Sequence, residues 1–321
     1  MSEHGVVITG ATGLIGSALA ASCARDGIHV SALVRDTHRA ADLLPSATLH
    51  AWDATHGPPP ADAFKGADVV VNLMGESAAE KRWNDDRKKQ LRDSRVVGTR
   101  ALVDALRDLP RRPRLFISAS GTGYYGDRGD EILTENAAAG SGFLAELARD
   151  WEAEAMRAAD VGLRVVMLRN GVVLSKSAGI LRKLLTPFRL GLGGPAGTGR
   201  QWLPWIHLED QMGLIRHAMS HEAVSGPLNC VAPEPVTNAE FARVLGEVLG
   251  RPTVLKAPLF ALRLRFGSSF VDEMLLASQR AMPVRTLETG YAYRHPLLRA
   301  ALADALDPRP RDETAAAATT G

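Results

Sequence analysis

The chain of 321 residues is long enough for one large α/β domain with a smaller domain appended, and its two cysteines, Cys23 and Cys230, cannot build a disulfide framework or a zinc site. The formal net charge of +2 is spread over charges of both signs, which excludes a basic face for nucleic acid. We expect no signal peptide, no membrane span and a cytoplasmic location.

Short apolar runs alternate with helix-compatible segments along the first half of the chain. The predicted strands are 6–9, 30–34, 48–52, 69–74, 115–118 and 163–168. This alternation predicts a parallel sheet with right-handed crossovers, and runs of nearly continuous Val, Ile and Leu are typical of strands buried on both faces. We therefore predict a Rossmann-type, doubly wound α/β fold, with functional groups at the carboxyl edge of the sheet.

The pattern changes beyond about residue 175. The stretch 191–200 is too rich in glycine for a helix and predicts a loop, and 202–207 and 227–231 predict short strands that return to the sheet around a helix over 209–219. Helices over 238–249, 272–281 and 296–306 predict a mainly helical C-terminal substrate domain. We predict a sheet domain over 1–178 with 203–232 returning to it, a substrate domain over 179–202 and 233–306, and a disordered tail over 307–321.

The glycine-rich turn after the first strand is the most informative segment. Gly10 suits a tight turn, Gly13 lets the main chain approach a pyrophosphate, and Gly16 lets the following helix lie close to the strand. The free N–H groups at the start of that helix favour phosphate charge. The turn therefore predicts dinucleotide binding by Gly10, Thr12, Gly13, Leu14, Ile15 and Gly16.

The residue at the end of the second strand selects between the two nicotinamide cofactors. It is Arg35, whose guanidinium suits a 2′-phosphate, and Arg39 lies one helical turn later. Asp36 leaves NAD(H) possible, but the pair of arginines favours NADP(H). Asp53, just after the third strand, either meets the adenine edge or caps a turn.

Several motifs together resemble a known family. GATGLIG at 10–16, WD at 52–53, NLMGES at 72–77, SASGTGYYGD at 118–127 and LRNGVVL at 168–174 are similar to the extended short-chain dehydrogenase/reductases. RW at 82–83, SRVVGT at 94–99, FLAELARDWEAEA at 143–155, GTGRQWLPWIHLED at 197–210 and the segment 233–252 resemble the atypical sugar nucleotide epimerase-like subgroup, which carries a C-terminal domain of unknown function. The resemblance covers residues 5–305 and implies further cofactor contacts at Leu73, Gly75, Ser118, Arg169 and Asn170.

The catalytic pair of that family is absent. Extended enzymes use a Tyr as proton donor, a Lys four residues later and an upstream Ser. The residues four beyond the four tyrosines, Tyr124, Tyr125, Tyr291 and Tyr293, are Arg128, Gly129, His295 and Leu297. No Tyr-x-x-x-Lys therefore exists in the chain, and the step from nucleotide binding to catalysis is weakened.

Four side chains are candidates for the missing chemistry. Ser120 aligns with the family's Ser and either holds the reacting oxygen or satisfies a backbone group. Tyr125, or its neighbour Tyr124, either replaces the acid or is a packed aromatic. Glu76, followed by Arg82 and Trp83, either recognises or protonates a polar substrate or lies in a solvated loop.

His207 is the fourth catalytic candidate. With Gln201 and Trp205 it adjoins the glycine loop where the substrate pocket is expected, and it either transfers protons near neutral pH or is a structural hydrogen-bonder. No catalytic metal is predicted, because His and acidic residues lack metal-ligand spacing.

Two functions follow from these expectations. The first is an NADP-dependent oxidoreductase or epimerase-like enzyme for a small polar substrate, a nucleotide sugar or a carbonyl compound, with an unusual proton donor. The second is a nucleotide-binding sensor or scaffold that kept the pocket without the proton-transfer groups. We expect a monomer or homodimer with a small-molecule partner, and neither nucleic acid nor membrane.

Overall fold

The computed structural model describes residues 5–307, so the predicted tail over 307–321 lies, apart from Asp307, outside the described residues. The strands are β1 (Gly5–Thr9), β2 (Val30–Val34), β3 (Thr48–Ala51), β4 (Ala67–Asn72), β5 (Leu115–Gly121), β6 (Ile132–Leu133), β7 (Arg164–Asn170), β8 (Val172–Leu174), β9 (Trp202–Leu203), β10 (Trp205–His207), β11 (Gly226–Cys230), β12 (Val236–Thr237) and β13 (Arg280–Ala281).

The α-helices are α1 (Leu14–Arg25), α2 (Thr37–Ala41), α3 (Asp85–Arg92), α4 (Gly98–Arg107), α5 (Phe143–Met156), α6 (Gly179–Arg189), α7 (Leu208–Ser220), α8 (Asn238–Leu249), α9 (Leu259–Phe266), α10 (Ser268–Phe270), α11 (Val284–Glu288) and α12 (Leu298–Leu306). Two segments are π-helical, Asp93–Val97 between α3 and α4, and Val271–Leu276 after α10.

Seven strands form one parallel sheet in the order β11-β7-β5-β4-β1-β2-β3. Alternate residues of a strand face opposite sides, so Val6 and Ile8 pack with α1 and α7, whereas Val7 packs with α4 and α5 on the other side. Both faces are thus covered by helices, and the predicted Rossmann-type fold is confirmed.

The segment 202–207 differs from the prediction. It does not enter the large sheet, because Pro204 divides it into β9, which pairs with β12, and β10, which pairs with β8. Only β11, from the predicted strand 227–231, returns to the large sheet, beside β7.

The predicted helix over 272–281 is also wrong in its second half. The π-helical turn ends at Leu276, and the main chain is extended at Ala277. Ser278 is then held by residues distant in sequence: its N–H donates to Asp127 Oδ1 at 3.1 Å and its hydroxyl donates to the Gly129 carbonyl at 2.6 Å. These bonds favour the extended chain that forms β13 against β6.

The C-terminal region is mainly helical. Side chains of α6, α8 and α12 form a separate apolar cluster around the buried Trp205. The two cysteines are buried and free. Among the helices between residues 5 and 307, none has both the length and the apolar character of a membrane span. The predicted domain limits stay a prediction.

Candidate functional site

The turn between β1 and α1 requires its glycines. Gly10 has a φ of +64°, and a Cβ there would lie 2.5 Å from the Leu73 carbonyl oxygen. A Cβ at Gly16 would lie 2.3 Å from the Gly10 carbonyl oxygen, so this residue keeps α1 close to the turn. No side chain of the described residues caps the first turn of α1, so its N–H groups are left for a ligand. This is the geometry that binds phosphate.

A groove of about 560 Å³ runs from this turn across the ends of β2, β3 and β4. The sequence-predicted cofactor residues that line it are Gly10, Thr12, Gly13, Arg35, Asp53, Leu73 and Gly75. Two more, Leu14 and Asn170, line a second cavity beside it, while Ile15, Gly16, Arg39, Ser118 and Arg169 line neither space.

Three cationic side chains line the groove around Glu76. The Arg35 guanidinium lies 3.0 Å from Glu76 Oε1, and the buried Arg87 lies 3.5 Å from Glu76 Oε2. Lys81 lines the same space. Arg87 Nε is buried without a hydrogen-bond partner among the described residues. At this point of the groove one carboxylate therefore serves two guanidiniums, so their hydrogen-bonding capacity is not exhausted and an anionic ligand could bind there, although Asp53 and Asp93 also line the groove. Glu76, predicted as catalytic, lies on the wall of this groove.

The two acids near the predicted adenosine site, Asp36 and Asp53, both accept local hydrogen bonds. Asp36 caps α2, because its Oδ1 accepts the Arg39 N–H at 3.0 Å. Asp53 Oδ1 accepts from the Thr55 N–H at 2.9 Å and from the Thr55 hydroxyl at 2.7 Å, and these bonds lower the pKa of Asp53. Asp36 is thus committed to its helix, and Asp53 caps a turn while it lines the groove.

The second cavity, of about 380 Å³, adjoins the groove at the start of α1, where Gly13 lines the groove and Leu14 lines the cavity. The helix α5 turns Leu144, Leu147, Ala148 and Trp151 toward it, at the i, i+3, i+4 and i+7 spacing of one helix face. None of these side chains is titratable. The helix α5 therefore contributes an apolar wall to the cavity.

Ser120 lies at the edge of the cavity over a buried polar network. Its hydroxyl donates to Glu152 Oε1 at 2.7 Å. Arg169 holds the same carboxylate with two bonds, Nε to Oε1 and Nη2 to Oε2, both at 2.9 Å. Arg169 and Glu152 are both buried, so this pair forms beneath the cavity and Arg169 does not reach it.

The structure places Tyr125 away from the cavity. It is fully buried, its hydroxyl donates to Asn229 Oδ1 at 2.6 Å, and it accepts from Arg169 Nη1 at 3.0 Å. Burial raises the pKa of Tyr125 to about 12. The ring of Tyr124 is covered by the Arg169 guanidinium at 3.6 Å. A buried tyrosine with a raised pKa and a closed set of partners does not donate protons to a ligand in the cavity.

His207 is also structural in its contacts. It is buried at the start of α7, where Nδ1 accepts the Glu209 N–H at 3.2 Å and Nε2 lies 3.2 Å from Asp304 Oδ2. The ring of His295 packs against it in a tilted arrangement, 3.9 Å between ring centroids, and its Nε2 lies 2.9 Å from Glu209 Oε2.

The groups of His207, Glu209 and His295 lie within 4.8 Å of one another, as metal ligands would. However, Nδ1 of His207 accepts a backbone N–H, so its Nε2 must carry the proton in the neutral ring. A metal at Nε2 would require the opposite tautomer. The contacts therefore fit a hydrogen-bonded helix start better than a metal centre.

The remaining predicted residues either pack in the interior of the protein or line the cavity. Trp83 is buried against Phe143 and Phe270, and Arg82 bonds the main chain of Leu264, so this pair joins α9 and α10 to the sheet domain. Trp205 is buried. Gln201 lines the cavity. The Ser118 hydroxyl is fully buried and accepts from Asn72 at 3.2 Å.

Two charged residues of the cavity wall were not predicted from the sequence. Arg95 belongs to the first π-helical segment, and Glu273 belongs to the second. Glu273 Oε2 accepts the Leu144 N–H at 2.8 Å, at the beginning of α5. Arg95 belongs to the motif SRVVGT at 94–99, but the motif alone does not indicate that this side chain lines a cavity. A π-helical turn has no reliable residue pattern, although such turns are frequent at functional sites.

Comparison with known proteins identifies the class. Residues 6–230 match the NAD dependent epimerase/dehydratase family, and residues 257–305 match a domain of unknown function, DUF1731. The chain therefore belongs to the NAD dependent epimerase/dehydratase family, and the resemblance stated from its motifs is confirmed.

Particular relatives cover nearly the whole chain. It is similar to an epimerase family protein of Mycobacterium leprae, with 41% identity over 90% of this chain and 92% of that protein. It is also similar to the human epimerase family protein SDR39U1, with 38% identity over 92% of this chain and 98% of that protein. A crystal structure of human SDR39U1 (isoform 2) with NADPH superposes with a TM-score of 0.82 at 36% identity, covering 94% of this chain and 98% of that one.

Proposed function

We propose that this chain is an enzyme that binds NADP(H) along the groove and transfers hydride between the nicotinamide and a small polar substrate in the cavity. The observation that carries the proposal is the junction at α1, where consecutive residues, Gly13 and Leu14, line the groove and the cavity. A dinucleotide laid on the glycine turn would extend from one space into the other. The NADPH in the human relative supports the same cofactor.

The residues present fit this cofactor. The uncapped N-terminus of α1 suits the pyrophosphate. Arg35 suits a 2′-phosphate, and the unpartnered Arg87 Nε adds positive charge nearby. Asp36, the acid that would favour NAD, is occupied as a helix cap. When bound, the nicotinamide supplies hydride transfer at its C4.

The chain's own contribution is to orient the substrate. The Ser120 hydroxyl donates to the charged Glu152, so the Ser120 oxygen is presented to the cavity as an acceptor. It therefore positions a substrate hydroxyl rather than a carbonyl. Asn170 Oδ1, buried and without a partner among the described residues, offers a second acceptor on the cavity wall.

Proton transfer is assigned to Glu273 in place of Glu76, Tyr125 and His207. Glu273 is the one carboxylate that lines the cavity among residues 5–307, and none of the other three lines it. Its Oε2 is fixed by the N–H of Leu144, which leaves Oε1 to exchange a proton with a substrate hydroxyl.

The test combines binding with turnover. NADPH and NADH are titrated by fluorescence, and NADPH oxidation and NADP reduction are followed with panels of carbonyl compounds and alcohols. We expect NADPH to bind more tightly than NADH, and Ser120→Ala to lower kcat/KM about tenfold with the NADPH Kd unchanged. Ser46→Ala, at an exposed serine, is the matched control. Glu273→Gln should lower kcat about 100-fold, because the proton-transferring carboxylate is lost. Tight NADPH binding without turnover across both panels would refute the enzymatic half.

A second function, an NADP(H)-binding sensor or scaffold, is favoured by one observation, the wholly apolar face that α5 turns to the cavity. This function predicts that NADPH changes the oligomeric state or a partner's affinity. Size-exclusion chromatography with and without NADPH tests it, and an identical elution profile contradicts the version based on assembly. The cytoplasmic location and the monomer or homodimer stay predictions.

A further inference from the structure

We infer that Arg95 binds an anionic group of the substrate, a carboxylate or a phosphate, on the wall of the cavity beside the cofactor groove. This inference rests on the proposed function and names the substrate class for the same site: a small carbonyl or hydroxyl compound that carries one acidic group.

The position of Arg95 is fixed by four contacts. Its Nη1 donates to the Leu91 carbonyl at 3.1 Å and to the Ser94 hydroxyl at 3.5 Å, and its Nη2 donates to the Glu76 carbonyl at 2.9 Å. The guanidinium also lies over the ring of Trp151, 5.2 Å from its centroid. A guanidinium has five N–H groups in a rigid fork, so donors remain for a ligand after these three bonds. Arg95 is thus held in place by groups that do not use all of its N–H donors.

Gly75 shows how closely the chain is built around this guanidinium. A Cβ at Gly75 would lie 3.0 Å from Arg95 Cζ and Nη2. Arg95 belongs to the π-helical segment Asp93–Val97, which lies between α3 and α4. The backbone thus leaves space for a charged group that faces the cavity.

The charge of Arg95 has no ion-pair partner among residues 5–307. The carboxylate of Glu76 forms its ion pairs with Arg35 and Arg87 instead. Burial and the charge of Arg87 lower the pKa of Arg95 to about 10, although the charge of Glu76 partly opposes this shift, so the guanidinium stays protonated at neutral pH. A buried charge that is only partly compensated is costly. An anion in the cavity would reduce this cost.

The anion is assigned to the substrate because Arg95 lines the cavity and not the groove. The groove has its own cations, Arg35, Lys81 and Arg87, for the phosphates of the cofactor. The other charged group of the cavity, Glu273, bonds the start of α5 and not Arg95.

The size of the cavity limits the rest of the substrate. Its volume of about 380 Å³ lies toward the lower end of the usual range for small-molecule pockets, about 300–1,000 Å³, and the nicotinamide must share it. Most of the remaining wall, including Leu144, Leu147 and Ala148, is apolar. These dimensions favour a keto acid, hydroxy acid or short phosphate ester over a whole nucleotide sugar.

The test uses non-reacting probes on the complex with NADPH. Benzoate, phenyl phosphate and the neutral benzamide are titrated against the fluorescence of bound NADPH and by thermal shift. We expect at least one of the two anions to bind about tenfold or more tightly than benzamide. Comparison of benzoate with phenyl phosphate shows which acidic group is preferred. Equal binding of all three probes would overturn the inference.

Variants assign the preference to Arg95. Arg95→Gln should abolish it, Arg95→Lys should retain part of it, and Arg189→Gln, at an exposed arginine, should leave it unchanged. If Arg95→Gln does not fold, the preference for anions over benzamide is compared between Arg95→Lys and the wild type. A reduced preference in Arg95→Lys then supports the inference, and an unchanged preference contradicts it. If Arg95→Gln weakens NADPH as much as the anions, Arg95 serves the cofactor and the substrate assignment is wrong. Failure of wild-type protein to bind NADPH refutes the proposed function itself, which is a separate result.

Discussion

Replacing Arg35 by Gln should raise the Kd of NADPH about tenfold and leave the Kd of NADH within about twofold. NADPH carries a 2′-phosphate that NADH lacks, so the double comparison isolates the interaction of this phosphate with the guanidinium. Arg35 lies at the end of β2 and lines the groove, where its alternative partner in the structure is Glu76 at 3.0 Å.

The magnitude follows from two opposing contributions. A charge-assisted hydrogen bond to phosphate contributes about 1.5–3 kcal/mol. Arg35 is 73% exposed, and binding must replace its ion pair with Glu76, which in such exposed pairs is worth about 0–1 kcal/mol. The difference is about 0.5–3 kcal/mol, and the expected tenfold change in Kd, about 1.4 kcal/mol, lies within this range.

Fluorescence titration of both cofactors provides the assay. Glu76→Gln should tighten NADPH by about twofold to fivefold, because it removes the competing carboxylate, and Arg189→Gln is the control for loss of a surface charge. The NADPH advantage should shrink as salt screens the phosphate. Equal weakening of NADPH and NADH in Arg35→Gln, or no weakening of either, would refute the assignment of Arg35 to the 2′-phosphate.

Three further predictions concern the turn and the buried network. Gly10→Ala should abolish measurable NADPH binding, because its Cβ would lie 2.5 Å from the Leu73 carbonyl, whereas Gly27→Ala, with a similar φ of +69° and open space, should lose only about 1–2 kcal/mol of stability and bind NADPH normally. Tyr125→Phe should lower the free energy of unfolding by about 1–3 kcal/mol in urea titrations without changing the NADPH Kd, and a loss of NADPH binding would contradict the position of Tyr125 outside the site. Because burial raises the pKa of Tyr125 from 10.0 to about 12, its neutral form stabilises the fold fully below pH 10, and this part of the stability is lost as the pH rises toward about 12. Tyr125→Phe should therefore show a shallower alkaline decline than wild type in stability measured from pH 9 to pH 12, and parallel curves would contradict the raised pKa.

The features that the sequence predicts well are determined within short segments. The turn at Gly10 is built from contacts between neighbouring residues and the next strand, and the runs of β-branched residues define the strands of the large sheet. The identity of Arg35 at the end of β2 is likewise a local property. The location of the cofactor groove could therefore be predicted with no knowledge of distant contacts.

The catalytic candidates depend on contacts that no local pattern encodes. The Tyr125 hydroxyl is directed to Asn229, and His207 is paired with Asp304, both distant in sequence. Arg95 and Glu273 reach the cavity through π-helical segments, whereas the sequence around Glu273 predicts an ordinary helix. The type of a residue and its position at the end of a strand thus indicate where the site lies. Tertiary contacts decide which side chains face the cavity.

The buried network beneath the cavity accounts for both the availability of Ser120 and the unavailability of Tyr125. Arg169 bonds Glu152 with two nitrogens and Tyr125 with the third, and Glu152 Oε1 also accepts from Ser120. Buried ion pairs are stabilising only when their hydrogen bonds are satisfied, as they are here. One pair therefore fixes the direction of the Ser120 hydroxyl and also occupies the Tyr125 oxygen.

This coupling gives a last prediction. Glu152→Gln retains the shape of the side chain but leaves the buried Arg169 without its counter-charge, so the free energy of unfolding should fall by about 3–5 kcal/mol. Ser120 would at the same time lose its charged acceptor. If Ser120 acts only as Glu152 orients it, the double variant Glu152→Gln/Ser120→Ala should have the kcat/KM of Ser120→Ala alone. Additive losses in this double-mutant cycle would mean that Glu152 affects turnover independently of Ser120, against the orientation argued from their 2.7 Å contact.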